Sequence, residues 1–151
     1  MSRRFGRQCG NSGGLVTSCD DDTGSKILTI LLAEDDPFLR EALGSTLQAC
    51  GFTVREAVSG DHALPILETG GIDVLVTDIC MPGALDGWSL AGRAVAIQPE
   101  IAIVYMSSGP ENAARRTAGS LFLRKPFHPD AIATAIRRLT SKRDGESHAE
   151  V

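Results

Sequence analysis

Residues 72–78 read Ile-Asp-Val-Leu-Val-Thr-Asp, a short apolar run that closes on a carboxylate. A run of this length and make-up predicts a strand buried on both faces of a sheet. Three further runs share the design. Residues 27–33 (ILTILLA) close on Glu34-Asp35-Asp36, residues 101–106 (IAIVYM) close on Ser107, and residues 121–124 (LFLR) close on Lys125-Pro126. In a parallel sheet the carboxyl ends of the strands share one edge, and open α/β folds place their chemistry there. An acidic cluster, a lone carboxylate, a hydroxyl and an ammonium would then meet in one pocket.

The segments between these runs alternate with them as amphipathic helices, the pattern of an α/β fold with a parallel sheet. Pro37 suits the first turn of a helix. Leu39, Ala42, Leu43, Thr46, Leu47 and Cys50 then recur at helical spacing up to Gly51. Residues 52–57 form a further strand. Ser59 caps a helix to about residue 68, with Pro65 marking a late start or a kink. Pro82, Gly83 and Asp86-Gly87 punctuate a loop over 81–86, and a helix follows over 88–97. A short, weakly apolar helix is expected over 111–118. Pro129 opens a last helix with Ile132, Ala135, Ile136 and Leu139 on one stripe. The expectation is (βα)5. Residues 1–25 read as a disordered leader, 26–140 as the folded domain and 141–151 as a flexible tail.

The chain has 151 residues, 42% hydrophobic and 23% charged, with a formal net charge of −4 and a pI near 5.3. This describes one ordinary globular domain. It excludes the basic face of a nucleic-acid-binding protein, and no run reaches the length of a membrane span. Ser2-Arg3-Arg4-Phe5 lacks the apolar stretch that an export signal needs. Cys9, Cys19, Cys50 and Cys80 show no zinc spacing. Cys50 and Cys80 fall in segments that read as core, which favours a reducing, cytoplasmic compartment.

Each strand ending has a plain and a chemical reading. Successive carboxylates at Glu34, Asp35 and Asp36 either favour a helix N-terminus or, drawn into a pocket, call for a cation; hard oxygen donors of this kind suit Mg²⁺. Asp78 either caps a turn or attacks phosphorus to form an aspartyl phosphate. Ser107 and Lys125 are a turn residue and a surface lysine, or the groups that neutralise non-reacting phosphoryl oxygens. The Lys125–Pro126 bond is a candidate for the cis form.

With these residues in place the chain resembles the receiver domain of two-component response regulators. The resemblance rests on ILLAEDDPFLREAL, DVLVTDICMPG followed by LDGWSLA, IVYMSSG and FLRKPF, in the family's order. It implies a flavodoxin-like three-layer sandwich with strand order 2-1-3-4-5. It implies that Asp78 is the phosphoacceptor, that Asp35 binds Mg²⁺ directly and Glu34 through water, and that the backbone carbonyl of Cys80 completes the protein ligands. Ser107 matches the switch hydroxyl, Lys125 the phosphoryl-contacting lysine, and Phe122 the aromatic that changes rotamer on activation. The implied donor is a histidine kinase or a histidine phosphotransfer protein, and the implied output is a switched surface for a downstream protein target, without nucleic acid or membrane. Catalysis would be limited to self-phosphorylation and slow hydrolysis.

Three departures stand out. The loop MPGALDG after Asp78 is one residue longer than the common form. Lys125 follows Ser107 by only about eighteen positions, which shortens the fourth helix by roughly a turn and bears on the surface most receivers use for output. No DNA-binding or catalytic segment follows the last helix, so the expected mode of action is through a partner, or as a phosphate relay or sink. Two competing functions are a phosphorylation-independent interaction module of the same fold and a Mg²⁺-dependent phosphohydrolase. Phosphohydrolases of the haloacid dehalogenase type carry a second Asp two residues after the nucleophile, where this chain has Cys80.

Overall fold

The structure, a computed structural model, describes residues 26–149. The leader expected over 1–25, with Cys9 and Cys19, lies outside the described residues. Five parallel strands, β1 (Thr29–Ala33), β2 (Thr53–Ala57), β3 (Val74–Asp78), β4 (Ala102–Ser107) and β5 (Leu121–Arg124), form one sheet in the order β2-β1-β3-β4-β5. The flavodoxin-like order expected from the resemblance is therefore observed. β3 is central, and its five residues are all buried. β4 is likewise buried throughout, whereas the edge strands β2 and β5 are largely exposed or half-buried.

The pleat of the three inner strands sends alternate side chains into two cores. Leu31, Leu75, Ile103 and Tyr105 face α2 (Gly60–Thr69) and α3 (Gly87–Ile97), meeting Ala63, Leu67, Leu90, Ala91 and Ala94. Ile30, Leu32, Val74, Val76, Val104 and Met106 face α1 (Pro37–Ala49) and α4 (Asp130–Ala149), meeting Leu43, Leu47, Ile132 and Ile136. Helices on both faces explain why these strands lack the polar alternation of a half-exposed sheet.

Local chemistry sets the helix boundaries. Asp36 caps α1 by accepting from the Phe38 and Leu39 amides, and Pro37 takes the first helical position. Ser59 caps α2 through the His62 amide, so this helix starts at Gly60 and simply contains Pro65. Asp86 caps α3 through the Ser89 amide.

One expectation is corrected. The helix expected over 111–118 is a single 3-10 turn, Ala113–Arg115, with no buried residue, so the fold has four α-helices among the described residues rather than five. Residues 108–120 must both reverse direction and return along the sheet. An α-helix advances about 1.5 Å per residue and extended chain more than twice that, so a link this short returns mostly extended. α4 itself runs to Ala149, into the segment 141–151 that reads as a tail. Once the buried stripe has nucleated the helix, propagation needs only residues compatible with it, and no Pro follows to stop it.

Candidate functional site

Three strand ends deliver the acidic and basic groups to one point. Glu34 follows β1 and is fully buried, Asp78 closes β3 at 6% exposure, and Asp35 stands exposed beside them. One carboxylate oxygen from each lies within 4.8 Å of the others. Lys125, after β5, reaches back across the edge; its Nζ lies 2.9 Å from Glu34 Oε2 and 3.3 Å from Asp78 Oδ2. The Lys125–Pro126 bond is cis, as anticipated. Asp36 is not part of the cluster, since its carboxylate is spent on the cap of α1.

Backbone contacts hold this edge in register. The Lys125 amide donates to the Ser107 carbonyl at 2.8 Å, and the Ile79 amide to the Met106 carbonyl at 3.0 Å. The Thr77 hydroxyl donates to the Asp78 carbonyl at 2.8 Å. Gly87 packs so tightly that a Cβ there would overlap the Asp78 carbonyl oxygen, and the start of α3 is thereby pressed onto the acceptor strand. Ser107 closes β4, nearly buried, with its hydroxyl accepting from the Gly109 amide at 3.0 Å. Phe122 pairs with Tyr105 across β4 and β5 and packs, partly buried, against the α2–α3 core.

Burial is the dominant electrostatic influence. It raises the pKa of Glu34, against the Asp36 amide and Lys125, with the neighbouring Asp78 adding to the rise. It also raises Asp78, against the attraction of Lys125, with Asp35 adding to the rise. For Lys125 burial acts to lower the pKa, but the carboxylates of Glu34 and Asp78 outweigh it and the net shift is upward. One ammonium does not neutralise three carboxylates. The set has the charge deficit and the oxygen donors that a hard divalent cation satisfies, with Asp35 on the open side.

A cavity opens beside this cluster, lined by Asp35, Cys80, Met81, Asp86, Trp88 and Arg115 among others. Cys80 is exposed here, contrary to its expected place in the core, because it follows the strand end and emerges into the loop. The longer loop after Asp78 is accommodated by Gly83, at φ +104°, and by Asp61 of α2, which accepts from the Ala84 amide at 3.0 Å. Sequence pattern alone does not mark Trp88 or Arg115 as lining residues. Trp88 reads there as one apolar residue of a helix, and Arg115 lies in a polar stretch whose fold depends on the short fourth link.

Known proteins match this chain in sequence and fold. The family model described as the response regulator receiver domain matches residues 30–137. The sensor kinase CckA of Brucella abortus is 36% identical over 135 residues, covering 85% of this chain and 14% of the kinase, so the chain spans only a small part of that relative. The response regulator receiver protein CpdR of the same organism is 34% identical over 116 residues, covering 73% of this chain and 94% of that protein. A solved response regulator receiver protein from Sinorhizobium medicae superposes with a TM-score of 0.73 at 38% identity, covering 78% of this chain and 98% of the other. No helix among the described residues is long and apolar enough to cross a membrane. By sequence, strand order and the convergence of its strand ends, this chain belongs to the response regulator receiver domain family.

Proposed function

We propose that the chain is a response regulator that accepts a phosphoryl group on Asp78 from a histidine kinase or histidine phosphotransfer protein. One observation carries the reading. The Asp78 carboxylate is nearly buried at the end of the central strand, in ion-pair contact with Lys125 and clustered with Glu34 and Asp35. In the proposed step an Asp78 carboxylate oxygen attacks phosphorus, the bond from phosphorus to the donor's imidazole nitrogen breaks, and the imidazole leaves with that electron pair. Asp35 and Asp78, with the Cys80 carbonyl and with Glu34 through water, would hold Mg²⁺. When bound, the ion would neutralise the acidic cluster and charge on the phosphoryl oxygens. Lys125 lies where it would balance a further oxygen once its contact with Asp78 is given up. Ser107 would turn its hydroxyl from the Gly109 amide to the acyl phosphate, and Phe122 would move into the space that this leaves.

That exchange is a local charge change acting on a two-position element, which alters the surface offered to a downstream protein. Self-phosphorylation from small donors and slow hydrolysis of the acyl phosphate would be the limit of the chain's own catalysis. Cytoplasmic placement belongs to the same proposal, supported by the free thiols of Cys50 and Cys80. With Mg²⁺ and acetyl phosphate, intact-mass measurement should find one added phosphoryl group, and Asp78→Asn should find none. Labelling that persists in Asp78→Asn would sink the assignment.

A further inference from the structure

The cavity that Asp35 of the acidic cluster lines has one cationic group in its wall. Of the residues that line it, Arg115 alone carries a positive charge. Its guanidinium lies 5.5 Å from the centre of the Trp88 ring, and its Nη1 is 3.9 Å from Asp86 Oδ2. Both side chains of that ion pair are nearly half exposed, at 48% and 42%. A pair so long and so wet holds its partners weakly. Trp88 is better fixed, tilted against the buried Tyr105 with ring centroids 4.7 Å apart. Arg115 thus lines the cavity between a packed ring and a loosely held carboxylate.

The charge balance of the site gives this position a purpose. Lys125 is already engaged by Glu34 and Asp78 on the inner side. A divalent cation would balance the remaining charge of the acidic cluster before any donor is bound. A donor arriving from solvent adds a phosphoryl dianion, whose oxygens arrive before Lys125 has released Asp78 or Ser107 the Gly109 amide. An arginine fork suits two such oxygens, and the 3-10 turn that carries it has no buried residue to anchor it.

We propose that Arg115 binds the phosphoryl group of the incoming donor, leaving Asp86 to do so, and so sets how tightly this site takes up phosphodonors. The inference rests on the phosphoacceptor reading of Asp78. Because the shared chemistry is the phosphoryl dianion, small acyl phosphates and nitrogen-linked phosphoryl donors should both depend on Arg115.

The test is phosphorylation of the full chain in Mg²⁺, with acetyl phosphate in one arm and phosphoramidate in the other. Arg115→Ala should raise KM for both donors about tenfold and leave kcat within about twofold. Arg115→Lys should recover part of the loss, because a point charge replaces the fork. Asp86→Asn keeps a capping side chain for α3 and removes the competing charge, so KM should fall about twofold. A dependence in only one arm would confine the role to that donor chemistry and overturn the general claim. Trp88 is the sole tryptophan, and its fluorescence should report Mg²⁺ binding with an unchanged midpoint in every variant. An unchanged KM in Arg115→Ala overturns the inference, as does a loss of kcat alone or a shifted Mg²⁺ midpoint. Wild type that takes no label, or an Asp78→Asn that does, overturns the phosphoacceptor reading instead.

Discussion

Two neighbouring links leave the same edge of the sheet and are built in opposite ways. The link from β3 to β4 contains α3, whose Leu90, Ala91 and Ala94 are fully buried, and whose first residue presses on the Asp78 carbonyl. The link from β4 to β5 holds a single 3-10 turn with nothing buried. Polar ties fasten it. The Thr117 amide donates to the Tyr105 hydroxyl at 3.1 Å, and Arg116 pairs with Glu111 and donates to Ser120. Burying one leucine stabilises by about 1.5–3 kcal/mol, whereas an exposed ion pair contributes about 0–1 kcal/mol. The acceptor end of the site is therefore held by packing, and the end that carries Arg115 by contacts that open cheaply.

The largest test of that contrast lies in α3. Leu90→Ala should cost about 3 kcal/mol in urea unfolding, through lost burial and a residual cavity; a loss below about 1 kcal/mol would erase the difference between the links. A smaller effect of opposite sign is expected at the acceptor. Glu34 and Asp78 have folded pKa values above their unfolded ones, so between those values the folded chain binds more protons. Their contribution to stability thus falls as pH rises through that window, and above it the metal-free protein bears the full cost. Asp78→Asn should raise the melting midpoint at neutral pH in the presence of a chelator and flatten its decline from acid to neutral pH. A lower midpoint would mean that the attraction of Lys125 outweighs burial. Lys125, raised by its carboxylates, contributes stability that persists until pH climbs through its folded pKa in the alkaline range.

Within the fourth link the effects shrink further. Tyr105→Phe removes the hydroxyl that receives the Thr117 amide and should cost about 1 kcal/mol. Amide exchange should quicken at Thr117 and stay unchanged in α3; protection lost equally in both would show that the two links open as one unit. Glu111→Ala breaks a half-exposed ion pair and should cost no more than about 0.5 kcal/mol by the same unfolding measurement. A cost as large as that of Tyr105→Phe would make charge, rather than the buried hydroxyl, the main fastening of the link.

Much of the site is legible in the sequence because it depends on where strands end. A polar residue just after an apolar strand run is delivered to the sheet edge, so the placement of Glu34, Asp35, Asp78, Ser107 and Lys125 at that edge follows from pattern. The cap role of Asp36 and the exposure of Cys80 do not, because each turns on the direction of one side chain just past an element end. The helix expected over 111–118 failed for a related reason. Its residues tolerate a helix, but helix formation is decided by whether the link has length to spare and a face to bury, and this one has neither. At the other end of the chain polar composition marks 141–151 as a tail, and the helix that buries Ile132 and Ile136 extends into that segment as far as Ala149.

The sequence by itself determined the alternation of strands and helices, the two-faced burial of the inner strands and the set of groups at the carboxyl edge. These are properties of residue period and of run ends, and they are local. Only the tertiary structure decided that Lys125 spans to both Glu34 and Asp78, that Gly87 must lie against the acceptor strand, and that Trp88 and Arg115 face the same cavity as Asp35. Those facts join residues far apart in the chain through the register of parallel strands and the length of the links between them, and no local pattern encodes either.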